Sequence, residues 1–290
     1  SAKLGGAGTL TKTGAGNLKM SGNNTYTGTT TLTAGTVIVD SNSSFGSGGT
    51  VVLNGSTLQS NGSHTVGNPL SLAVNTTIAG SSDLAFTGNL TNVLAGNATV
   101  TVNNSGNTSL GAIALSSNAT NRTLTVAGTG NLTIGGVISD GGTATGSALT
   151  MSGNGTLTLS GANTYRGTTT LNAGTTAANS SGALGNGTAS SNTLVFAGGS
   201  LLATGNISSP SARGVTLSAN ATIGSNGNDV TILGNITGTS GLTKNGNGTL
   251  TLGGAGNTYS GTTSINAGAL RATSSSALGA SGTGTTVAAG

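Results

Sequence analysis

The sequence predicts an all-β fold in which the chain winds into a solenoid of about a dozen coils, each of roughly 23 residues. Three observations carry this prediction. A long motif occurs three times, apolar residues fall in runs of period two, and the composition disfavours helix. Gly, Thr, Asn and Ser, which dominate the chain, are all poor or mediocre helix formers.

The clearest copy of the motif covers residues 153–174 and consists of a strand, a corner, a second strand and a second corner. Residues 156–159 alternate Thr and Leu, so the two leucines share one face of the strand. Ser160-Gly161 then breaks the strand, because Gly allows the positive φ of a tight turn. A second strand follows over residues 168–173. Similar copies begin near residues 14 and 246.

The spacing of the copies predicts the coil length. Their tyrosines are 139 and 94 positions apart, which correspond to six and four coils of about 23 residues. About a dozen rungs at ~4.8 Å each give a rod roughly 60 Å long. Each copy also has an Asn two positions before its Tyr and a Gly 20 positions after it. These structural repeat positions are Tyr26, Tyr165, Tyr259, Asn24, Asn163, Asn257, Gly46, Gly185 and Gly279.

Each group of repeat positions has a structural interpretation. We expect the asparagines to stack as turn ladders and the tyrosines to pack over a corner, with sugar stacking as the alternative. The many threonines are read as outward strand residues. Regular threonine arrays also resemble ice-binding surfaces, and this alternative stays open.

Composition limits the class of protein. Only 4% of the 290 residues are charged, but 33% are hydrophobic and lie in periodic runs, which argues against disorder. No linker or change of composition divides residues 1–290, so a single solenoid domain is predicted. The eight basic residues are scattered and are read as solvated, which excludes a nucleic-acid patch. No apolar run is long enough for a transmembrane helix.

Catalytic and metal sites are not expected. Asp40 and Asp83 lie about two rungs apart, but no basic cluster accompanies them, so no enzyme is predicted. His64 is the single histidine, and without Cys or Glu it cannot build a transition-metal site. Residues 226–230 resemble one calcium-binding nonapeptide that does not recur, so no cofactor is expected. All four acids are read as turn residues: Asp40, Asp83, Asp140 and Asp229.

The three copies resemble the autotransporter-associated β-strand repeat of bacterial autotransporter passengers. The residues that carry the resemblance are 14–35, 153–174 and 246–268. The resemblance implies a right-handed parallel β-helix, secretion to the cell surface, and a role in adhesion, aggregation or structural display. The family motif contains no catalytic residues.

The expected function is structural. The chain begins roughly where it ends in solenoid phase, and neither end reads as a capping unit. We therefore expect end-to-end stacking with further copies, as an extracellular filament or stalk on a bacterial surface. The alternative is an adhesin passenger that binds surface glycans or neighbouring cells. Neither nucleic-acid binding nor membrane insertion is expected.

Overall fold

The computed structural model describes residues 3–88, 92–282 and 284–288. In these residues the secondary structure consists of 33 short strands and one 3₁₀-helix, Gly182–Leu184. The paired strands run parallel, as a coil that returns to the same face on every turn requires. The prediction of an all-β parallel solenoid is therefore confirmed, and its right-handed winding stays a prediction.

The strands form three faces, each with eleven strands. Face 1 consists of Asn17–Met20, Thr36–Val39, Thr57–Ser60, Thr76–Gly80, Ala98–Val102, Thr123–Gly128, Ala148–Met151, Thr169–Leu171, Leu194–Phe196, Val215–Leu217 and Ile236–Gly238. Face 2 consists of His64–Val66, Leu84–Phe86, Thr108–Leu110, Leu132–Ile134, Thr156–Leu159, Thr175–Ala178, Ser200–Ala203, Ala221–Gly224, Leu242–Asn245, Thr263–Ile265 and Thr285–Val287.

Face 3 is divided into three shorter sheets along the rod. The strands of its sheets are Leu10–Lys12, Thr30–Leu32, Val51–Leu53 and Leu70–Leu72, then Asn92–Val93, Ile113–Ala114 and Ile138–Ser139, then Ile207–Ser209, Val230–Ile232, Thr249–Leu252 and Ala269–Ala272. The chain passes faces 1, 2 and 3 in that order over about 13 turns, and in each motif copy it crosses one face without a strand.

Turn length varies because the corners, not the strands, take up insertions. Thr156 pairs with Thr175, 19 residues further on, whereas Ala98 pairs with Leu124, 26 residues further on. The strands themselves keep a length of two to six residues throughout. A corner is exposed to water and can lengthen without disturbing the sheet, so longer loops are tolerated there.

The core is a single column of apolar side chains between the three faces. Strand Ala148–Met151 shows the rule, since Leu149 and Met151 are buried and Thr150 between them is not. Each fully buried Leu, Val or Ile contributes about 1.5–3 kcal/mol relative to an exposed one. Since every turn covers the next, the alternating pattern stabilises the whole rod without a wide core.

The three motif copies begin on three different faces. The first strand of each copy lies on face 1 (Asn17–Met20), face 2 (Thr156–Leu159) and face 3 (Thr249–Leu252) in turn. The intervals of 139 and 94 residues therefore cover six and one-third and four and one-third turns. The whole-number assumption behind the sequence estimate was wrong, and the mean turn is about 22 residues.

Candidate functional site

The conserved geometry of the three copies is a junction that joins successive turns, and Asn163 is at its centre. The Asn163 side chain is buried and bonds to the turn on either side. Its Oδ1 accepts the backbone N–H of Ile138 at 2.7 Å, and its Nδ2 donates to the carbonyl of Ala183 at 2.6 Å. One amide thereby satisfies two backbone groups that would otherwise be buried without partners.

The other two copies repeat this contact. Asn24 accepts from the N–H of Leu4 and donates to the carbonyl of Ser44, at 3.0 and 2.8 Å. Asn257 accepts from Ile236 and donates to Ala277, at 2.8 and 2.9 Å. The three asparagines lie several turns apart on different faces, so they do not stack on one another. The expected turn ladder is wrong, and each Asn instead connects three consecutive turns.

The tyrosine of each junction points into the core. Tyr26 is 3% exposed, and Tyr165 and Tyr259 are fully buried. Their hydroxyls pair with the Oγ1 atoms of Thr30, Thr169 and Thr263 at 2.6 to 2.7 Å. Sugar stacking on these rings is excluded because their faces are covered.

Burial also changes the acidity of these phenols. Burial raises the pKa of Tyr165 to about 12, although its hydrogen bond with Thr169 and the charge of Arg213 act in the opposite direction. The pKa values of Tyr26 and Tyr259 are raised by burial as well, against the hydrogen bonds with their threonines.

The glycine of each junction lies one turn above its tyrosine. Gly46, Gly185 and Gly279 have φ of 71°, 95° and 87°. A Cβ on Gly46 would lie 2.1 Å from the carbonyl oxygen of Tyr26, and one on Gly279 would lie 2.3 Å from that of Tyr259. The constant spacing of 20 residues is therefore one turn, at a point where only glycine fits.

Two of the basic residues are buried, which corrects the prediction that the charges are solvated. Arg213 is 1% exposed and donates to Asn192 Oδ1 at 2.8 Å and to the carbonyls of Ser181 and Gly185. Lys244 is fully buried and its Nζ donates to Ser225 Oγ at 3.1 Å and to backbone carbonyls. Burial lowers the pKa of both groups.

The position of Lys244 had a signal in the sequence. Lys12 occupies the same place in the first copy and likewise donates to carbonyls, those of Gly14 and Ala34. The second copy has Met151 there, buried in the core. An apolar residue at one of three equivalent positions indicates that the side chain points inward. The two lysines at the other positions also point inward, with their apolar stems along the core.

A second use of Asn and Asp was not predicted. At several corners the side-chain oxygen accepts a backbone N–H of the next turn. Asn75 accepts from Thr99, Asn97 from Thr123 and Asn131 from Thr156, at 2.9 to 3.0 Å. Two of the acids do the same. Asp83 accepts from Asn107 at 2.7 Å and Asp229 from Thr249 at 2.9 Å.

The remaining acids form ion pairs. Asp40 bonds Lys19 at 3.0 Å, and hydrogen bonds first from Lys19 and then from Asn61 lower the pKa of its carboxyl. Asp140 is paired with Arg166 at 2.7 Å. His64 contacts Asn42 Oδ1 and the carbonyl of Asn61.

Two further features of the described residues concern metal binding and membrane crossing. No group of three potential metal-ligating acids or histidines lies together in the part of the chain that the structure describes. Across the same residues, no helix has both the length and the apolar character needed to cross a membrane.

Threonines do align across turns on face 1. Thr125, Thr150 and Thr170 are paired in register, and Val195 follows them. Thr169, by contrast, turns inward as the partner of Tyr165. Only some threonines of each run in the sequence therefore belong to an outward array, because alternate residues of each strand face the core.

Comparison with known proteins identifies the three copies. Residues 10–39, 149–178 and 242–272 match the family described as Passenger-associated-transport-repeat. No curated protein and no solved structure shows significant similarity to the chain. Each matched segment contains the Asn and the Tyr of one junction described above, and the glycine of that junction follows the segment. The chain is a parallel β-solenoid with three segments that match the passenger-associated-transport-repeat family.

Proposed function

We propose that this solenoid is an extracellular structural rod that forms or extends a bacterial surface filament or stalk by end-to-end stacking. Its contribution would be mechanical, through rung-to-rung hydrogen bonds and a dry core, with no catalysis and no cofactor. The repeat family supports a passenger segment of an autotransporter, exposed at or beyond the cell surface.

The observation that carries the proposal is the register of the inner turns, in which a strand such as Thr175–Ala178 pairs with the strands of the turns before and after it. A further copy of the solenoid would continue the same pairing. The outer strands also have unpaired backbone. Ala288 N donates to Ile265 O and Gly284 O accepts from Thr263 N, so alternation directs Thr285 and Val287 N–H groups away from the rod. Such an edge pairs with another strand.

The test uses the 290-residue chain and electron microscopy with sedimentation velocity. Stacking predicts particles whose lengths are multiples of about 60 Å, from about 13 turns of ~4.8 Å. Val287→Pro removes an outward N–H that has no partner within the rod, so it should give single rods with unchanged stability. Val74→Lys alters an exposed valine at a corner in the rod and should leave the filaments intact. Single rods for the unmodified chain at high concentration would refute stacking.

An adhesin passenger is the second candidate. It is supported by the polar grooves of about 290–320 Å³, which are open to solvent. Binding of glycans or of neighbouring cells by single rods would favour it, and would be measured on a glycan array with the Val287→Pro variant.

A further inference from the structure

One groove, at the corner after face 3, contains an ion pair whose carboxylate, that of Asp140, is buried. Its volume is about 320 Å³, at the small end of the range for ligand sites. It lies in the second motif copy, where the chain passes from face 3 to face 1. The lining residues that matter are Asp140, Thr164, Arg166 and Asn186.

Asp140 and Arg166 hold each other in place. Only 6% of the Asp140 side chain is exposed, and Oδ1 accepts the N–H groups of Ser147 and Arg166 at 2.9 and 3.2 Å. Its Oδ2 accepts Arg166 Nε at 2.7 Å, and Arg166 Nη2 donates to the carbonyl of Ala144 at 2.7 Å. Two sides of the guanidinium are therefore fixed before any ligand arrives.

Three donors of the groove have no hydrogen-bond partner among the residues that the structure describes. They are Arg166 Nη1, Asn186 Nδ2 and Thr164 Oγ1, and 40% of the Arg166 side chain is exposed. The orientation of the Asn186 amide is fixed, because its Oδ1 accepts from the N–H and hydroxyl of Thr188 at 3.1 and 2.7 Å. A donor-rich groove with a fixed guanidinium suits an oxygen-rich anion.

A second arginine lies on the same corner. Ala148 N donates to Arg122 O, and Gly167 N donates to Ser147 O, so Arg122 is two turns from the neighbour of Arg166. Two turns separate the two backbones by about 10 Å. The Nε of Arg122 is buried with no partner in the described part of the chain. The corner thus has two guanidinium groups along the rod axis, of which that of Arg166 is paired with Asp140.

The repeat itself does not require this arginine. The positions equivalent to Arg166 hold Thr27 in the first copy and Ser260 in the third. Both of those copies keep the Asn and Tyr contacts of the junction. Arg166 is therefore an addition to the second copy, on a corner that folds without it.

We propose that this groove binds a carboxylate- or sulfate-bearing sugar unit of a linear acidic polysaccharide. Arg166 Nη1, Asn186 and Thr164 contact the anionic group, and Arg122 contacts the next charge along the chain. The proposal deepens the adhesin candidate and is independent of stacking, since a single rod contains the complete site.

The test measures binding to single rods of the Val287→Pro chain by titration calorimetry at low salt. The probes are an oligogalacturonate for the carboxylate, a sulfated oligosaccharide for the sulfate and a neutral maltooligosaccharide as control. We expect one of the acidic probes to bind and the neutral one not to bind. Asp140→Asn with Arg166→Ser should weaken binding at least about tenfold, because a hydrogen bond between charged groups exceeds that factor.

The matched control is Lys19→Ser with Asp40→Asn, which removes a second ion pair of the described residues and, like the first variant, leaves the net charge unchanged. It should bind like the parent chain. Asn186→Ala keeps the ion pair and should weaken binding about threefold, so it reports on the site if the double variant fails to fold. Failure of both acidic probes to bind, an equal loss in the control, or equal binding of a single-stranded oligonucleotide of the same charge would overturn the proposal. None of these outcomes bears on filament formation, which is tested separately by electron microscopy and sedimentation velocity.

Discussion

Removal of the Asn163 side chain should open the rod at the second junction. Asn163→Ala leaves the N–H of Ile138 and the carbonyl of Ala183 buried without partners. An unsatisfied buried backbone group costs about 1–3 kcal/mol, so the two together should cost about 2–6 kcal/mol. Turns unfold in neighbouring groups in a solenoid, so the loss should be local to the turns between these two residues.

Native-state hydrogen exchange of backbone amides measures this local loss. The N–H groups of Ile138, Thr164 and Leu184 should exchange faster by a factor that corresponds to the lost free energy. The distant turns around Leu58 should keep their protection. Asn179→Ala is the control, because Asn179 is exposed, donates to Ser160 O at 3.3 Å and accepts only from the Ser180 hydroxyl at 3.1 Å. It should change stability by less than about 0.5 kcal/mol.

Asn163→Asp separates the two halves of the contact. Its oxygen still accepts from Ile138, but a carboxylate faces the carbonyl of Ala183 and repels it. We expect at least the loss of the alanine variant at neutral pH and a smaller loss at low pH, where the carboxyl donates again. Unchanged exchange at Ile138 in both variants would refute the role of Asn163 as the link between three turns.

Three further predictions concern the same junctions. Gly46→Ala should cost more than about 2 kcal/mol in urea unfolding, because its Cβ meets the Tyr26 carbonyl at 2.1 Å and φ is positive; an equal midpoint would contradict the fit. Tyr165 should titrate near pH 12 in absorbance at 295 nm, and since its folded pKa of about 12 exceeds the unfolded value of 10, its contribution to stability should be complete below pH 10 and fall as pH rises through 12; Tyr165→Phe should reduce that fall, and an unchanged fall would contradict it. Lys244→Met should cost less than Lys244→Ala in thermal unfolding, because Met fills the same position in the second copy; the reverse order would show that the charge matters more than the packing.

Much of this fold is readable from the sequence because period-two alternation and stacked coils follow from local residue types. Leu157 and Leu159 are buried as their alternation predicts. The glycine 20 residues after each tyrosine also indicated one turn of the coil. The face on which each copy begins was hidden, since intervals of 139 and 94 residues fit whole numbers of 23-residue coils as well as one-third turns of shorter ones.

The buried polar contacts were harder to predict than the core. Asn163 and the corner residue Asn131 have the same side chain, but Asn163 bonds to both neighbouring turns and Asn131 to only one. This difference depends on their positions in the fold, which the residue type does not show. Arg213 gave no signal at all, because it occurs outside the three copies and no equivalent position reveals its direction. Lys244 did give one, through Met151.

Because each copy begins one face further round the solenoid than the copy before it, the three junctions lie on three different faces. A loop inserted at the same point of each copy would project from three different sides of the rod and not from one. Deletion of one complete turn would keep every later junction on its original face. Deletion of a single strand and its corner would move every later junction to the neighbouring face. One repeated pattern of residues can therefore present the same surface feature on all three faces of the rod.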